Sequence, residues 1–520
     1  MSILSKKKFF NINLFYIINL SLYAFLINFY YSKLGSFPID TFLHYDSAHR
    51  ILNGDLPIKD YWIVSGLTVD FIQSLFFKIF GTNWFAYSLH SSVFNSVITI
   101  STYLFFTKIN LKKYKAFLFS ICLATLSYTI SGTPFVDLHA VHFLLLATLI
   151  IMNNIHNNNQ YLWIVVTLLF FLSFFSKQVP ASYAAIVYSF ILLSYFILNR
   201  LFQNIFTIIS SSLVIVISIF IFLKLYNIDF KNFYIQYFDY PISIGKSRFI
   251  EISFVDFFNK FKFIILPLIF VTIFKIKKSK NNFFSKEIVS FVIFVTFSII
   301  LIFHQVMSKN QIYIYFLVPI IFGLLESEII KSKIKFKKYF SIMLIFALIF
   351  ITIKYHVRYN ENRKFHDLNK IQLNETGDAR KIHKSLTGIE WKNPFYNGNS
   401  SSEIEILNKA QNILNNEFEE NIMIISNYLF LDSITNKNLN SPSRAFTIDG
   451  TTMPIRENNE YFKYYKRYLQ KKIIKKNINQ IIFIKHENIP KEIISNYIRK
   501  ECYNIKQGEI FYIMELKCLN

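Results

Sequence analysis

Long apolar runs separated by short polar connections fill the first 357 residues. Eleven of them are long enough, or nearly so, to cross a hydrocarbon layer of about 30 Å at about 1.5 Å per helical residue. No small-residue cleavage site follows the first run, which favours a retained helix over a signal peptide. The pattern predicts eleven transmembrane helices, at residues 9–31, 83–107, 114–132, 137–153, 160–176, 180–198, 205–226, 261–275, 287–307, 311–329 and 338–357.

Beyond residue 357 the pattern becomes that of a soluble α/β domain. Residues 403–418 and 460–477 show helical periodicity, and residues 421–425, 480–484 and 509–516 read as strands. The predicted fold is therefore an all-α polytopic membrane domain over residues 1–357, with a small α/β domain over residues 358–520.

Charge sets the predicted orientation. In an eleven-span chain the Lys-rich segments 5–8, 108–115, 275–286 and 331–338 all fall on one side, which the positive-inside rule makes cytoplasmic. The N-terminus is then cytoplasmic, while residues 32–82, the first outside loop, and the C-terminal domain lie outside. Within that loop, residues 66–80 are apolar but carry charges, which predicts an interfacial helix.

Composition agrees with a membrane protein, since 53% of the residues are hydrophobic and 60 are Phe. The net charge of +24 is explained by the basic loops, so we exclude nucleic acid as a partner. Cys502 and Cys518 flank the last predicted strand. An oxidising compartment would favour a disulfide between them, and two free thiols are an equally compatible alternative.

Polar residues at the ends of the predicted spans gather on the outside. Carboxylates are densest in residues 40–81, which hold Asp40, Asp46, Asp55, Asp60 and Asp70. Later outside connections add Asp137, then Lys177 and Gln178, then Lys246 and Arg248, and finally His304 and Lys309. Ionisable groups at a membrane boundary are costly unless paired or solvated, so they often mark a functional cavity.

The stretch D-x5-D-S-A-x2-I-L-N-G-D-L-P-x2-D-Y-W from Asp40, followed by an apolar helix ending F-x2-F-G at 77–81, resembles the C-type (GT-C) glycosyltransferases. The similarity is to the protein O-mannosyltransferase-like and aminoarabinose-transferase-like bacterial enzymes. It covers roughly residues 1–200 and weakens toward residue 357, where QIYIYFLVPIIFG is similar to a late Y-x-x-P span. The chain departs from the family pattern at Thr41, Ile58 and Leu67.

The resemblance implies an integral-membrane enzyme of the bacterial inner membrane. It would move a sugar from a polyprenyl-phosphate donor to a lipid, polysaccharide or protein acceptor on the periplasmic face. Some of these enzymes use a divalent cation and others do not, so no cofactor is predicted with certainty and the metal ligands are unknown. His139 and His142, three residues apart, can be half a metal site, but packing is the favoured interpretation.

Such a transfer needs a carboxylate that accepts the proton of the acceptor, and direct displacement inverts the anomeric centre. By position and resemblance Asp40 is the predicted base, with capping of a helix that begins near Phe42 as the alternative. Asp46 would lie about 240° away on the same helix, which leaves it as a backup or acceptor-binding group. Asp137 is either a second catalytic carboxylate or the N-cap of the next span.

Cations beside the leaving phosphate stabilise its charge. Lys177, with Gln178, is the predicted phosphate ligand, and a snorkelling anchor is the alternative. Arg50, Lys246, Arg248 and Lys309 are further candidates, while Asp60 either binds the sugar or occupies an ordinary turn.

Two other functions remain open at this point. One is a non-catalytic flippase or transporter of lipid-linked saccharides, in which related halves and mid-span charges are expected. The other is a protein similar to the O-antigen ligases or polymerases, whose key residues tend to lie in a large late outside loop.

Overall fold

The computed structural model of the chain describes residues 3–36, 38–246, 253–278, 284–307, 313–333, 335–368, 371–487 and 489–518. These residues are mostly helical, with a small sheet in the C-terminal part. The helices, in chain order, are α1 (Ile3–Tyr31), α2 (Pro38–Leu52), α3 (Leu67–Phe80), α4 (Trp84–Lys108), α5 (Lys113–Leu126), α6 (Val136–Asn157), α7 (Gln160–Ser176), α8 (Gln178–Leu198), α9 (Phe202–Leu225), α10 (Phe230–Tyr234), α11 (Tyr240–Lys246), α12 (Phe254–Lys278), α13 (Lys286–Met307), α14 (Leu317–Lys331), α15 (Lys337–His356), α16 (Ser400–Asn416), α17 (Leu431–Ile434), α18 (Phe462–Lys475) and α19 (Glu492–Ser495). The strands are β1 (Gly377–Asp378), β2 (Glu390–Trp391), β3 (Ile422–Ile425), β4 (Gln480–Ile484), β5 (Tyr503–Gln507) and β6 (Phe511–Leu516).

Every predicted span overlaps one of these helices. Among the described residues, seven helices are long and apolar enough to cross a membrane: those within α1, α6, α8, α9, α12 and α13, and the one that begins with α15. The expectation of a helical membrane protein with a small C-terminal sheet is confirmed at this level. The count of eleven stays a prediction, because α4, α5, α7 and α14 are shorter or more polar than these seven.

The chain divides into two compact units. The helical unit comprises Met1–Ser32, Ser88–Phe220 and Phe249–Lys370, and the mixed unit comprises Lys33–Tyr87, Ile221–Arg248 and Ile371–Asn520. The predicted division at residue 357 stays a prediction, but the compact units cross it. The first loop belongs to the same unit as the C-terminal sheet.

Helix α6 lies at the centre of the helical unit. Most of its side chains are buried, and it packs against α7, α8 and α13. Helix α14 approaches α4 closely at Gly323, where a Cβ would overlap the Phe106 ring. Two buried glutamates near its end bind lysines of other helices: Glu326 pairs with Lys115, and Glu328 lies 2.8 Å from Lys275.

The mixed unit is built on a four-stranded sheet in the order β3-β4-β6-β5. Strands β3 and β4 are parallel with Ile424 opposite Ile482, whereas β6 runs antiparallel to both β4 and β5. Side chains of a strand alternate between the faces of its sheet, and both faces of the two strands β3 and β4 are buried. Ile422 and Ile424 join the core beneath α16, while Met423 and Ile425 join the core beneath α18.

The first loop contributes to both of these cores. The Phe42 ring of α2 lies 4.7 Å from the Phe430 ring, and Trp62 is fully buried beside Tyr465. The backbone N–H of Trp62 donates to Pro442 at 2.9 Å, and the N–H of Arg444 donates to the Trp62 carbonyl at 3.0 Å. Residues 33–87 are therefore an integral part of the mixed unit.

Several C-terminal predictions are confirmed. Helices α16 and α18 and strands β3, β4 and β6 lie where the pattern indicated them, and β5 is an addition. A disulfide joins Cys502, which directly precedes β5, to Cys518, which follows β6, with 4.9 Å between the Cα atoms. The segment between the spans predicted at 205–226 and 261–275 contains α10, a π turn at Ile235–Asp239 and α11.

Candidate functional site

Asp40 lies in the first turn of α2. The helix begins at Pro38, so Asp40 is its third residue and the predicted capping role near Phe42 is wrong. A carboxylate in the first turn interacts favourably with the helix dipole. The side chain is half-buried.

Asp46 and Asp55 share one cation. The Arg50 guanidinium lies 3.8 Å from Asp46 and 3.5 Å from Asp55, stacks 3.8 Å from the Tyr61 ring centroid, and donates to the Ser441 carbonyl at 3.0 Å. Arg50 thus binds groups of its own unit rather than standing open as a phosphate ligand.

The pKa values of Asp46 and Asp55 are shifted in opposite directions. Burial raises the pKa of Asp46 to about 8, because Arg50 only partly offsets the loss of water and other carboxylates lie near. Burial also opposes ionisation of Asp55, but the charge of Arg50, helped by Lys472 and Lys476, outweighs it and holds that pKa below its ordinary value.

Lysines of the C-terminal region bind the rest of this acidic loop. Lys472 of α18 donates to the carbonyls of Asp60 at 2.5 Å and Ser441 at 2.9 Å. Lys475 lies 3.5 Å from the Asp60 carboxylate and Lys476 lies 3.6 Å from Asp55. Asp60 also accepts from the N–H of Leu56 at 2.9 Å, as a turn residue does. Much of the density of aspartates in residues 40–81 is therefore explained by packing against a basic helix.

Asp70 is fully buried between two partners. Its Oδ1 lies 2.5 Å from His44 Nδ1, and its Oδ2 accepts from Arg444 Nη1 at 2.8 Å. Gly66 permits this packing, since a Cβ there would come within 2.6 Å of Arg444 and 2.8 Å of His44. Burial lowers the pKa of His44, against the pull of Asp70. Nothing in the local sequence indicated Arg444, which lies 374 residues away from Asp70.

A second cluster lies in the helical unit, around Asp137. Lys177 Nζ donates to both Asp137 oxygens at 2.6 and 2.7 Å, His304 Nε2 lies 2.9 Å from Oδ1, and the Tyr313 hydroxyl donates at 3.2 Å. Asp137 is 1% exposed, whereas the Lys177 side chain keeps 22% of its surface exposed. The structure thus brings together residues of three connections that the sequence had marked separately, and adds Tyr313.

The helix boundaries decide the alternative for Asp137. Phe135 is the N-cap of α6 and Asp137 is its second residue, so the capping role predicted for Asp137 is wrong. Lys177 is the single residue between α7 and α8, and its ammonium binds Asp137. Gln178, the first residue of α8, is half-buried beside it.

The two histidines of α6 have separate partners. His139 lies 3.0 Å from His90 and bonds the Tyr128 hydroxyl, whereas His142 lies 2.9 Å from the Ser127 hydroxyl. Within the described ranges, no group of three or more His, Cys, Asp or Glu side chains is arranged to hold a metal ion. Arg248, Lys309 and the side chain of Lys246 lie outside the described residues.

Both units therefore contain enclosed groups of carboxylates and cations. The Asp137 group keeps a partly exposed ammonium with donor capacity to spare, since Lys has three N–H donors. A scan against protein-family models matched none of them, and a search of curated proteins also returned no match.

Proposed function

We propose that the chain is an integral-membrane glycosyltransferase. It transfers a sugar from a polyprenyl-phosphate donor to a lipid, polysaccharide or protein acceptor on the periplasmic face of a bacterial inner membrane, with inversion. The proposal rests on the resemblance of residues 40–81 to the GT-C enzymes and on how the described residues fit the needs of that reaction.

The observation that carries the proposal is the Lys177–Asp137 pair. Asp137 lies at the start of α6, and Lys177 lies between α7 and α8. The pair fixes the Lys177 ammonium at that junction, and part of the side chain stays exposed. A cation so positioned stabilises the charge that develops on a departing lipid phosphate. His304 and Tyr313 hold the carboxylate, so the ammonium needs little reorganisation.

Asp40 is the proposed base. A base must reach the hydroxyl that it deprotonates, and Asp40 is half-buried, whereas Asp46 and Asp70 are enclosed. Asp46 and Asp60 have the structural contacts described above, which favours packing over catalysis for both.

The composition of the mixed unit supports eleven spans. One compact body lies on one side of a bilayer, so the chain must cross an even number of times between residues 87 and 221, and again between 248 and 371. The helices α4–α9 and α12–α15 satisfy this requirement. The seven most apolar helices alone do not, because three of them fall in each interval.

The Cys502–Cys518 disulfide supports a non-cytoplasmic location for the mixed unit, since disulfides persist in oxidising compartments. The basic segments at 108–115 and 331–338 then fall on the cytoplasmic side.

Deletion of the gene and complementation test the function. We expect the deletion strain to lose one sugar from its envelope glycans, as measured by mass spectrometry. Wild type should restore that sugar, and Asp40→Asn should fail to restore it at equal protein levels in the membrane. Asp378→Asn is the matched control, because Asp378 is an exposed cap in the mixed unit and Asn caps equally well. An unchanged envelope would refute the function, and restoration by Asp40→Asn would refute the base.

A second candidate, a transporter of lipid-linked saccharides, is favoured by one observation. Buried ionic groups lie within the helices, at Asp137 of α6 and at Glu326 and Glu328 of α14, and such groups often mark transport pathways. A transporter would move the labelled lipid-linked sugar across a proteoliposome bilayer without cleaving it, whereas a transferase would release the polyprenyl phosphate.

A further inference from the structure

A polar pocket of about 440 Å³ lies within the mixed unit. One wall comes from α11, with Ser243 and Ile244, and the other from the segment that precedes α18, residues 449–460. Its volume falls in the range of about 300–1,000 Å³ typical of small-molecule sites. It involves neither Asp40 nor the Asp137 cluster.

The segment that forms this pocket is anchored at several points. Met453 is fully buried in the core, the Tyr240 hydroxyl donates to the Gly450 carbonyl, and the Tyr497 hydroxyl donates to the Pro454 carbonyl. Asp449 Oδ1 accepts from the N–H of Thr451 at 3.0 Å and from its hydroxyl at 2.8 Å. The backbone of residues 449–454 is thus held in place without a ligand, which reduces the entropy lost on binding.

The lining combines hydrogen-bonding groups of every kind with aliphatic surface. Asp449 and Glu460 supply carboxylate acceptors, Arg456 supplies guanidinium donors, and Asn458 supplies an amide that both donates and accepts. Ile244 and Ile455 are half-buried and add apolar contact.

This mixture selects among ligand classes. An anion would be repelled by the two carboxylates more than it is attracted by the single guanidinium. An apolar ligand would leave the polar groups without partners, which costs free energy. A saccharide ring has hydroxyls that donate and accept around its edge and C–H groups on its faces. The polar side chains of the pocket can bond the hydroxyls, and the two isoleucines can contact the C–H faces.

We infer that this pocket binds a neutral saccharide of one or two rings. The hydroxyls bond Asp449, Arg456 and Glu460, and a ring face packs on the two isoleucines. This binding does not depend on the transfer reaction, so its presence or absence is decided separately from the proposed activity.

Saturation-transfer NMR on the purified full chain in lipid nanodiscs tests the inference. The probes are methyl glycosides and disaccharides of glucose, galactose, mannose and N-acetylglucosamine, with inorganic phosphate and trilysine as the other arms. We expect saturable binding of at least one saccharide, weakened at least tenfold by Arg456→Ala and by Glu460→Gln. Glu457→Gln is the matched control, because Glu457 is exposed in the same segment but does not line the pocket. It should bind within twofold of wild type.

Three results would overturn the inference. They are no saturable binding by any saccharide of the panel, binding only of phosphate or only of trilysine, and equal saccharide binding by wild type and both pocket variants. Arg456 and Glu460 are exposed, so their substitution should leave the thermal unfolding midpoint unchanged, which separates lost binding from lost fold.

Discussion

One guanidinium cannot neutralise two buried carboxylates equally. Arg50 lies 3.5 Å from Asp55 and 3.8 Å from Asp46, and Asp55 has Lys476 at 3.6 Å besides. Burial raises the pKa of Asp46, and Arg50 offsets this only in part, whereas Arg50, Lys472 and Lys476 together outweigh the burial of Asp55 and lower its pKa. The sign of each shift fixes how stability depends on pH.

Asp46→Asn tests this assignment. Ionised Asp46 is disfavoured in the fold, so its contribution to stability is complete below about pH 4 and is lost as pH rises through about 8. Asn cannot ionise, so the variant should gain stability over wild type with rising pH, by up to about 1.4 kcal/mol for each pH unit. Thermal unfolding midpoints from pH 5 to 8.5 measure the difference.

Asp55→Asn is the contrasting control. Its depressed pKa means that its stabilising charge is present at neutral pH and is lost in acid. This variant should be destabilised at pH 7, and its difference from wild type should shrink only as pH falls below about 4, the pKa of an unfolded Asp. A constant offset of Asp46→Asn from wild type across the range would contradict the assignment.

The Asp137–Lys177 pair invites a double-mutant cycle. Lys177→Met leaves a buried carboxylate without its cation, and we expect a loss of about 3 kcal/mol in the free energy of unfolding. Asp137→Asn should cost a similar amount, and the double variant less than the sum, with a coupling energy of about 1–3 kcal/mol. Denaturant unfolding in detergent measures all four proteins. Additive losses would mean that the pair is not coupled.

Local spacing could have indicated some of these contacts and not others. Asp46 and Arg50 are four residues apart on α2, a spacing at which helical side chains meet. The bond of Asp70 with Arg444 depends on the packing of α3 against a C-terminal segment, which no local pattern encodes. Lys177, Asp137 and His304 were marked individually because each ends an apolar run, but only the packing of α6, α8 and α13 brings them together.

At the scale of elements, one side chain links the π turn to the first loop. Gln236 Nε2 donates to the Ile58 carbonyl at 2.9 Å, and its Oε1 accepts from the N–H of Ile63 at 3.1 Å. Ile58 has a φ of 75°, a left-handed conformation that is unfavourable for a β-branched residue. The loop thus depends on contacts from outside its own sequence.

Gln236→Ala should release this loop. It leaves a buried N–H and a buried C=O without partners, at a cost of roughly 1–3 kcal/mol for each. We expect a lower thermal midpoint and faster proteolysis between residues 56 and 63. Gln470→Ala is the control, since Gln470 is exposed on α18. Equal proteolysis of the two variants would show that Gln236 does not hold the loop.

Most of the helices and strands could be predicted from the hydrophobic pattern of the sequence. Long apolar runs predicted the helices, and the short continuous apolar runs at 422–425 and 481–484 predicted the central strands, because burial sets the hydrophobic pattern. Helix α2 was considered only as a helix beginning near Phe42, and helices α10 and α11 were not assigned. Tyr240 of α11, for example, packs against Trp62 and Tyr461, which are distant in sequence.

At the scale of the whole molecule, one feature was not visible in the sequence: the mixed unit draws on three separate segments. The change of pattern at residue 357 marks where long apolar runs stop. It does not show that residues 33–87 supply Phe42 and Trp62 to the cores beside the C-terminal sheet. Such a shared core requires all three segments to lie on one side of the membrane.

Single cysteines test that requirement. Asn53→Cys, Lys231→Cys and Asn416→Cys place exposed thiols in the three segments, and Lys335→Cys places one in a basic loop. Cys122 is replaced by Ser, and the Cys502–Cys518 disulfide leaves no reactive thiol there. In cells whose outer membrane is permeabilised, an impermeant maleimide should label the first three variants and should label Lys335→Cys only after the inner membrane is opened. If only the seven most apolar helices crossed the membrane, three crossings would separate Asn53 from Lys231, and the two cysteines would be labelled from opposite sides. Labelling of the three segments from opposite sides would therefore contradict both the even number of crossings between them and the periplasmic location proposed for the mixed unit.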